Sequence, residues 1–233
     1  MSSLKNRHPL LPYVRIGIYF LAAIIIPAAM LRYLLPHEWH VWLMQPLYGD
    51  YVPSQLEVLA SIPIQEFLHR VGGSAYVIIG ILQFSKKLRK NRPRLHRNLG
   101  KIFLLLSVAL GVGGALMSIV VPFSGIKETI PTVFFSGMFM FFTYKAYVTA
   151  RAKQFLKHRE WVIRNFAIGI AVATIRFYYV LLLYGTDLSI QDVFATSVWM
   201  GFVTNMVIAE IWIDVTRKKA RVRKARPVAV VQE

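Results

Sequence analysis

The chain contains no cysteine, which excludes a disulfide scaffold, a thiolate metal site and a thiol nucleophile, and leaves any metal or haem to His, Met, Tyr or carboxylate. Carboxylates are scarce too: 11 Asp and Glu stand against 28 Lys and Arg, a formal net charge of +17 over 233 residues. Charge of either sign is thin, at 17% of residues, where a globular chain carries about a quarter. Hydrophobic residues fill the gap at 56%, with a mean hydropathy of +0.49. That much apolar surface must face something other than water, and lipid is the solvent that fits. The basic excess does not point to nucleic acid, because Lys and Arg cluster between long apolar runs instead of interleaving with a soluble pattern. Hydrolytic chemistry has no foothold: there are no paired carboxylates, no Ser and His elbow and no HExxH stretch, and Glu66 with His69 lacks partners. No catalytic residue is assigned.

A membrane-spanning helix needs about 20 mostly apolar residues, because unsatisfied backbone groups in hydrocarbon are costly. Six runs qualify, from about Ile16 to Leu35, Ile64 to Phe84, Leu99 to Val121, Thr132 to Ala150, Trp161 to Tyr184 and Phe194 to Val215. The second is the poorest, with Gln65, Glu66, His69 and Arg70 in its first two turns. Lys5, Arg7 and Arg15 ahead of the first run, with Ala28 and Ala29 inside it, also fit a signal peptide. The run is longer than an ordinary signal core, so it is read as a retained span.

The loops orient these runs. All of the 28 basic residues except Arg32, Arg70, Lys127 and Arg176 fall at the N-terminus, in the second-to-third and fourth-to-fifth connections or in the tail, while Glu38, Asp50, Glu57, Glu66, Glu128, Asp187 and Asp192 lie on the opposite side. The positive-inside rule then gives an all-α polytopic bundle of about six transmembrane helices with both termini cytoplasmic, in the cytoplasmic membrane of a bacterium. The basic loops are expected to meet anionic lipid headgroups on that side. Residues 1–63 hold the first helix and an extracytoplasmic aromatic segment, 64–215 a five-helix membrane domain, and 216–233 a basic tail expected to be disordered past Arg217. The aromatic segment carries His37, Trp39, His40, Trp42, Tyr48 and Tyr51, the composition of an interfacial belt or a helix lying on the leaflet. His37 and His40 have metal-ligand spacing but no third ligand.

Polar residues inside the runs are the functional candidates, since lipid tolerates them poorly. On the second run His69, Gly73, Tyr76, Gly80 and Gln83 recur within about 40° of one line. On the third, His96, Gly100, Phe103, Ser107, Gly114 and Ser118 form a similar stripe, as do His158, Asn165, Gly169 and Arg176 on the fifth. Such stripes serve close helix packing or line a pocket. Arg176 is too deep to be a loop charge and should point into the bundle or snorkel outward. Asn205 reaches nearly the same level and is its expected partner. Glu210 lies deeper, and Arg164 is its expected counter-charge, as a structural pair or as a proton or ligand site. His96–Arg97 and His158–Arg159 each open a hydrophobic helix, where the dipole favours a neutral imidazole or a bound anion. The pairs could ligate haem or metal through His69, His96 or His158, or hold lipid phosphate.

Three ordered blocks carry a resemblance. His69 through Gly72 and Gln83 to Leu95, His96, Arg97 and Gly100 is the first; HREWVIRNFAIGIAVATIRF, with His158, Arg159, Trp161, Arg164, Thr174 and Arg176, is the second; WMGFVTNMVIAEIW, with Asn205 and Glu210, closes the set. Over roughly residues 64–215 the chain resembles the bacterial membrane family named domain of unknown function 2306, departing where Val162 replaces a usual Met. The resemblance implies a polytopic membrane protein and no defined activity.

Three functions are weighed. The first is a small-molecule or cofactor binding or transport bundle built on the polar stripes, with His69, Arg70, Tyr76, Gln83, His96, Arg97, His158, Arg159, Arg164, Asn165, Arg176, Asn205 and Glu210 as candidate residues. The second is b-type haem bound through His. His69 lies near the outer side and His96 and His158 near the inner, so at most one pair matches in depth. The third is a structural or assembly partner whose polar stripes serve packing alone.

Overall fold

The computed structural model describes residues 10–225. They form α1 (Leu10–Leu34), α2 (His37–Tyr48), a 3₁₀ turn (Gly49–Tyr51), α3 (Val52–Ser61), α4 (Pro63–Phe67), a π turn (Leu68–Gly72), α5 (Gly73–Gln83), α6 (Lys86–Asn91), α7 (Pro93–Val120), α8 (Ile126–Arg151), α9 (Phe155–Gly169), α10 (Ala171–Gly185) and α11 (Ile190–Ala225), with no strand among the described residues. α4, the π turn and α5 run on as one rod, and α9 and α10 are two halves of another, broken at Ile170. Pro63 and Pro93 start their helices where the missing amide hydrogen costs nothing. Ser85 caps α6 by accepting from the Leu88 amide at 3.2 Å. Gly49 (φ 52°) and Gly125 (φ 61°) hold left-handed backbone at the exits from α2 and into α8, conformations a side chain would strain.

Short connections at residues 121–125, 152–154 and 186–189 make α7–α8, α8–α9 and α10–α11 packed neighbours, and α11 also lies along α9 and α8. The rod of α5 packs on α7, and α1 rests against α5, the π turn and α10. Aromatic rings fill the core. Tyr76 stacks on Phe103 with centroids 4.6 Å apart and Phe135 on Phe202 at the same distance, while Phe139, Phe142 and Phe166 are buried around them. Gly80 makes room for Phe166: a Cβ there would sit 2.3 Å from a ring carbon.

The two ends of the bundle differ. One is aromatic and gathers α2, the 3₁₀ turn and the connections at 121–125 and 186–189, with Tyr48 and Tyr51 against Phe123 and Ser124 Oγ donating to the Gln191 carbonyl at 2.8 Å. The other is basic and gathers α6, the start of α7, the α8–α9 connection and Arg217.

Three helices are long and apolar enough to cross a membrane, Pro93–Val120, Phe155–Gly185 and Ile190–Arg217, and Ile16–Leu31 is a shorter apolar run. Three of the six expected runs fall short of that measure, the first because its apolar stretch is short. The π turn cuts the Pro63–Gln83 rod into short pieces, and Glu66 and Arg70 dilute it. α8 mixes its phenylalanines with Ser136, Gly137, Thr143 and Lys145, although it exposes Ile130, Val133, Phe134, Phe141, Tyr144 and Tyr147. The tail also departs from expectation, since α11 continues through Ala225. Its Arg, Lys and Ala are strong helix formers. Residues 226–233, the basic residues Lys5 and Arg7, and the side chains of Arg15, Arg32, His37 and His40 lie outside the described structure.

Candidate functional site

The stripes of α5, α7 and α9 converge on Asn165, which is fully buried. Its Oδ1 accepts from Tyr76 Oη at 2.9 Å and from Ser107 Oγ at 3.2 Å, and its Nδ2 donates to Thr143 Oγ1 at 2.8 Å. Thr143 Oγ1 in turn donates to the Phe139 carbonyl and Ser107 Oγ to that of Phe103. One amide therefore ties together four helices, α5, α7, α8 and α9, and every side-chain group in the knot has a partner. Gly169 is bare because Tyr76 passes there: a Cβ would lie 2.2 Å from its ring. This knot is closed, and its polar groups are spent on one another.

A second buried amide holds the broken helix. Asn205 Nδ2 donates to the Ala167 carbonyl at 2.9 Å and its Oδ1 accepts from Thr174 Oγ1 at 2.9 Å, so α11 bridges the two sides of the break at Ile170. Gly201 lets α11 approach: a Cβ would lie 2.4 Å from Ile175 Cγ1 and 2.9 Å from its backbone nitrogen. The expected Arg176–Asn205 bond is not formed. The break rotates α10 off the stripe of α9, so Arg176 leaves the line of His158, Asn165 and Gly169 and is exposed.

Arg164 meets Glu210 through two parallel bonds, Nε to Oε1 at 2.6 Å and Nη2 to Oε2 at 2.8 Å, and its guanidinium lies over Trp161 at 4.7 Å. The expected counter-charge is correct, but the expected burial of Glu210 is not: its side chain is 50% exposed. Nearby, Arg217 makes a similar two-bond pair with Glu160, and Arg159 donates to Thr216 Oγ1 at 3.0 Å. His158 Nδ1 sits 2.8 Å from the Ala146 carbonyl, to which it donates, and Gln83 Nε2 donates to the His96 carbonyl at 3.4 Å. The Nδ1 atom of His96 is buried without a partner. Arg97 is exposed.

At the aromatic end Arg176 Nη1 donates to Tyr48 Oη at 2.6 Å and the guanidinium lies over Phe194 at 5.6 Å. Tyr48 stacks on Tyr179, whose hydroxyl donates to the Leu47 carbonyl at 2.6 Å, and Tyr184 donates to that of Pro46 at 3.1 Å. The last carbonyls of α2, orphaned by its ending, are thus taken by tyrosines of α10. His69, on the π turn, is exposed, and the charges of Arg176 and Arg70 both reach its ring. Arg70 pairs with the buried Glu66 at 3.1 Å. Burial pushes the Glu128 carboxyl above its ordinary range, against the Ser124 and Phe123 amides and the Arg176 charge.

Of the candidates, Tyr76, Asn165 and Asn205 are buried, Arg70, Gln83, His96, His158, Arg159 and Arg164 partly so, and His69, Arg97, Arg176 and Glu210 exposed. His69 sits towards the aromatic end and His96 and His158 at the basic end, so these three do not share one metal site, and no group of three or more His, Asp or Glu able to hold a metal occurs among the described residues. Thr143, Tyr48 and Tyr179 escaped the sequence reading. Thr143 lies on a run without a visible stripe, Tyr48 reads as an interfacial aromatic, and Tyr179 is one apolar-run aromatic among several.

Helices long and apolar enough to span a bilayer, knotted by buried amides, define a helical membrane protein. Residues 66–213 match the family described as "Predicted membrane protein (DUF2306)", and the chain belongs to that family. No curated protein and no solved structure matches it.

Proposed function

We propose that the chain crosses a bacterial cytoplasmic membrane six times with both ends in the cytoplasm, and that it binds a small molecule at a polar site opening at the aromatic end. The observation that carries this reading is Arg176, a guanidinium with one hydrogen bond and no carboxylate within ion-pair distance among the described residues. The Asn165 knot spends its polar groups internally and serves packing, so the stripes themselves are not the pocket. The proposed site takes in His69, on the π turn, and Arg176, on α10, two elements that both pack on α1, with α2 held to α10 by Tyr179 and Tyr184. The basic end then faces the cytoplasm and its anionic lipid headgroups.

Two measurements test the two parts. The chain has no cysteine, so a single thiol at Gly125 or Lys90 reports sidedness. An impermeant maleimide applied from outside should label the first and not the second; the reverse pattern refutes the topology. A thermal-shift screen of small polar compounds in detergent should find stabilisers of the wild type that are lost on His69→Ala or Arg176→Gln, and a wild type stabilised by none of them counts against binding.

One observation favours b-type haem as a second reading. His158 donates through Nδ1, which leaves Nε2 free for a metal, and His96, whose Nδ1 has no partner, lies at the same end of the bundle. A Soret band in the natively purified protein, absent from His158→Ala, would carry it; a colourless preparation from haem-supplemented cells would not.

A further inference from the structure

We infer that the site at the aromatic end receives an oxyanion, a carboxylate or phosphate group, on the free edge of Arg176; this rests on the small-molecule reading above. A guanidinium carries five N–H donors in a planar fork. Arg176 spends one on Tyr48 Oη at 2.6 Å and lays a face on Phe194. Arg70, Arg164 and Arg217 each meet a carboxylate, and Lys127 meets Asp192. Arg176 does not. Glu128, an acid that feels its charge, spends an oxygen on the Ser124 amide at 2.9 Å.

Tyr48, Phe123, Tyr179 and Phe194 join edge to face and in stacks, with centroids 5.4 to 5.9 Å apart, and the exposed guanidinium rests against the Tyr48 and Phe194 side of this cluster. Because the Tyr48 oxygen already accepts from Arg176, its own proton is available to a second acceptor. His69 makes no hydrogen bond among the described residues and adds a further ring nitrogen within reach of the Arg176 charge. A cation would be repelled by Arg176, and a neutral molecule would leave the guanidinium uncompensated. A planar, two-oxygen anion matches the fork, and its apolar remainder has aromatic rings to rest on.

The test uses the full chain purified in detergent and in nanodiscs. The soluble probes are benzoate, its uncharged isostere benzamide, and inorganic phosphate; the lipid probes are nanodiscs of phosphatidylglycerol and of phosphatidylcholine. Benzoate or phosphate should raise the melting midpoint of the wild type while benzamide does not, with apparent affinity falling about tenfold or more in Arg176→Gln. Stabilisation by phosphatidylglycerol over phosphatidylcholine that is lost in the same variant, without an effect of the soluble anions, assigns the oxyanion to a lipid headgroup. The opposite pattern assigns it to a soluble anion. Should Arg176→Gln fail to assemble, Arg176→Lys keeps the charge and loses the fork, and should bind at least several-fold more weakly. Equal shifts with benzoate and benzamide, or undiminished anion binding in both Arg176 variants, overturn the oxyanion while leaving a small-molecule site standing. No response to any anion or to phosphatidylglycerol overturns the oxyanion too, and if the compound screen is equally silent the broader reading falls with it.

Discussion

Asn205 donates to the carbonyl of Ala167 at 2.9 Å, from a helix far along the chain, at the point where α9 breaks. A broken helix leaves carbonyls without their usual amide donors, and here a side chain supplies one. Asn205→Leu keeps the volume and removes both bonds, leaving Ala167 O and Thr174 Oγ1 unsatisfied. We expect a loss of about 1–3 kcal/mol, read as a lower midpoint in detergent, against little change for Val207→Leu on the exposed face of the same helix.

The Asn165 knot predicts a larger and non-additive effect. Asn165→Leu takes a partner from Tyr76, Ser107 and Thr143 at once, whereas Thr143→Val removes the bond from Asn165 and the one to the Phe139 carbonyl, at a cost nearer 1 kcal/mol. The double variant should melt close to Asn165→Leu alone. Fully additive losses would show that the groups do not act as one network.

Gly201 and Gly137 offer a paired test of close approach. A Cβ at Gly201 meets the Ile175 backbone, which cannot move aside, so Gly201→Ala should cost more than about 1 kcal/mol. Gly137 has nothing within 4 Å, and its replacement by Ala should be neutral or stabilising by up to about 1 kcal/mol through helix propensity. Thermal melts of the two variants settle the comparison.

The Arg164–Glu210 pair should be asymmetric. Glu210 is half exposed, so Glu210→Gln should cost under about 1 kcal/mol and lose its effect at high salt. Arg164 is 15% exposed and also lies over Trp161, so Arg164→Met forfeits the cation–π contact and should cost more, with less dependence on salt.

Glu128 predicts a pH dependence. Its carboxyl is raised by burial, so the folded chain holds that proton more tightly than the unfolded one. Stability is therefore intact below the ordinary carboxylate range, falls as pH rises from there through the raised folded value, and is level above it. Glu128→Gln should flatten that slope in a plot of melting midpoint against pH.

Much of the bundle was legible because helical periodicity marks buried faces: Tyr76, Ser107 and Asn165 could each be placed on the polar stripe of its own helix, and Arg164 set against Glu210, by spacing and depth. The reading failed where the backbone stops being a uniform helix. The stripe that set Arg176 in line with His158, Asn165 and Gly169 assumed an unbroken rod across Ile170, and the stripe through His69 assumed ordinary turns where residues 68–72 adopt a π turn. Each irregularity shifts the helical phase of the residues beyond it, and neither has a composition that announces it. The tyrosine bonds to α2 were also hidden, because a carbonyl left open by a helix end cannot be seen in side-chain chemistry.

The discontinuity at Ile170 gives one stretch of chain two separate duties. Upstream, residues such as Asn165 are cemented to their neighbours; downstream, Arg176 is turned out of the bundle. Substitution on the outer side of the break can thus proceed without loosening the mortar behind it.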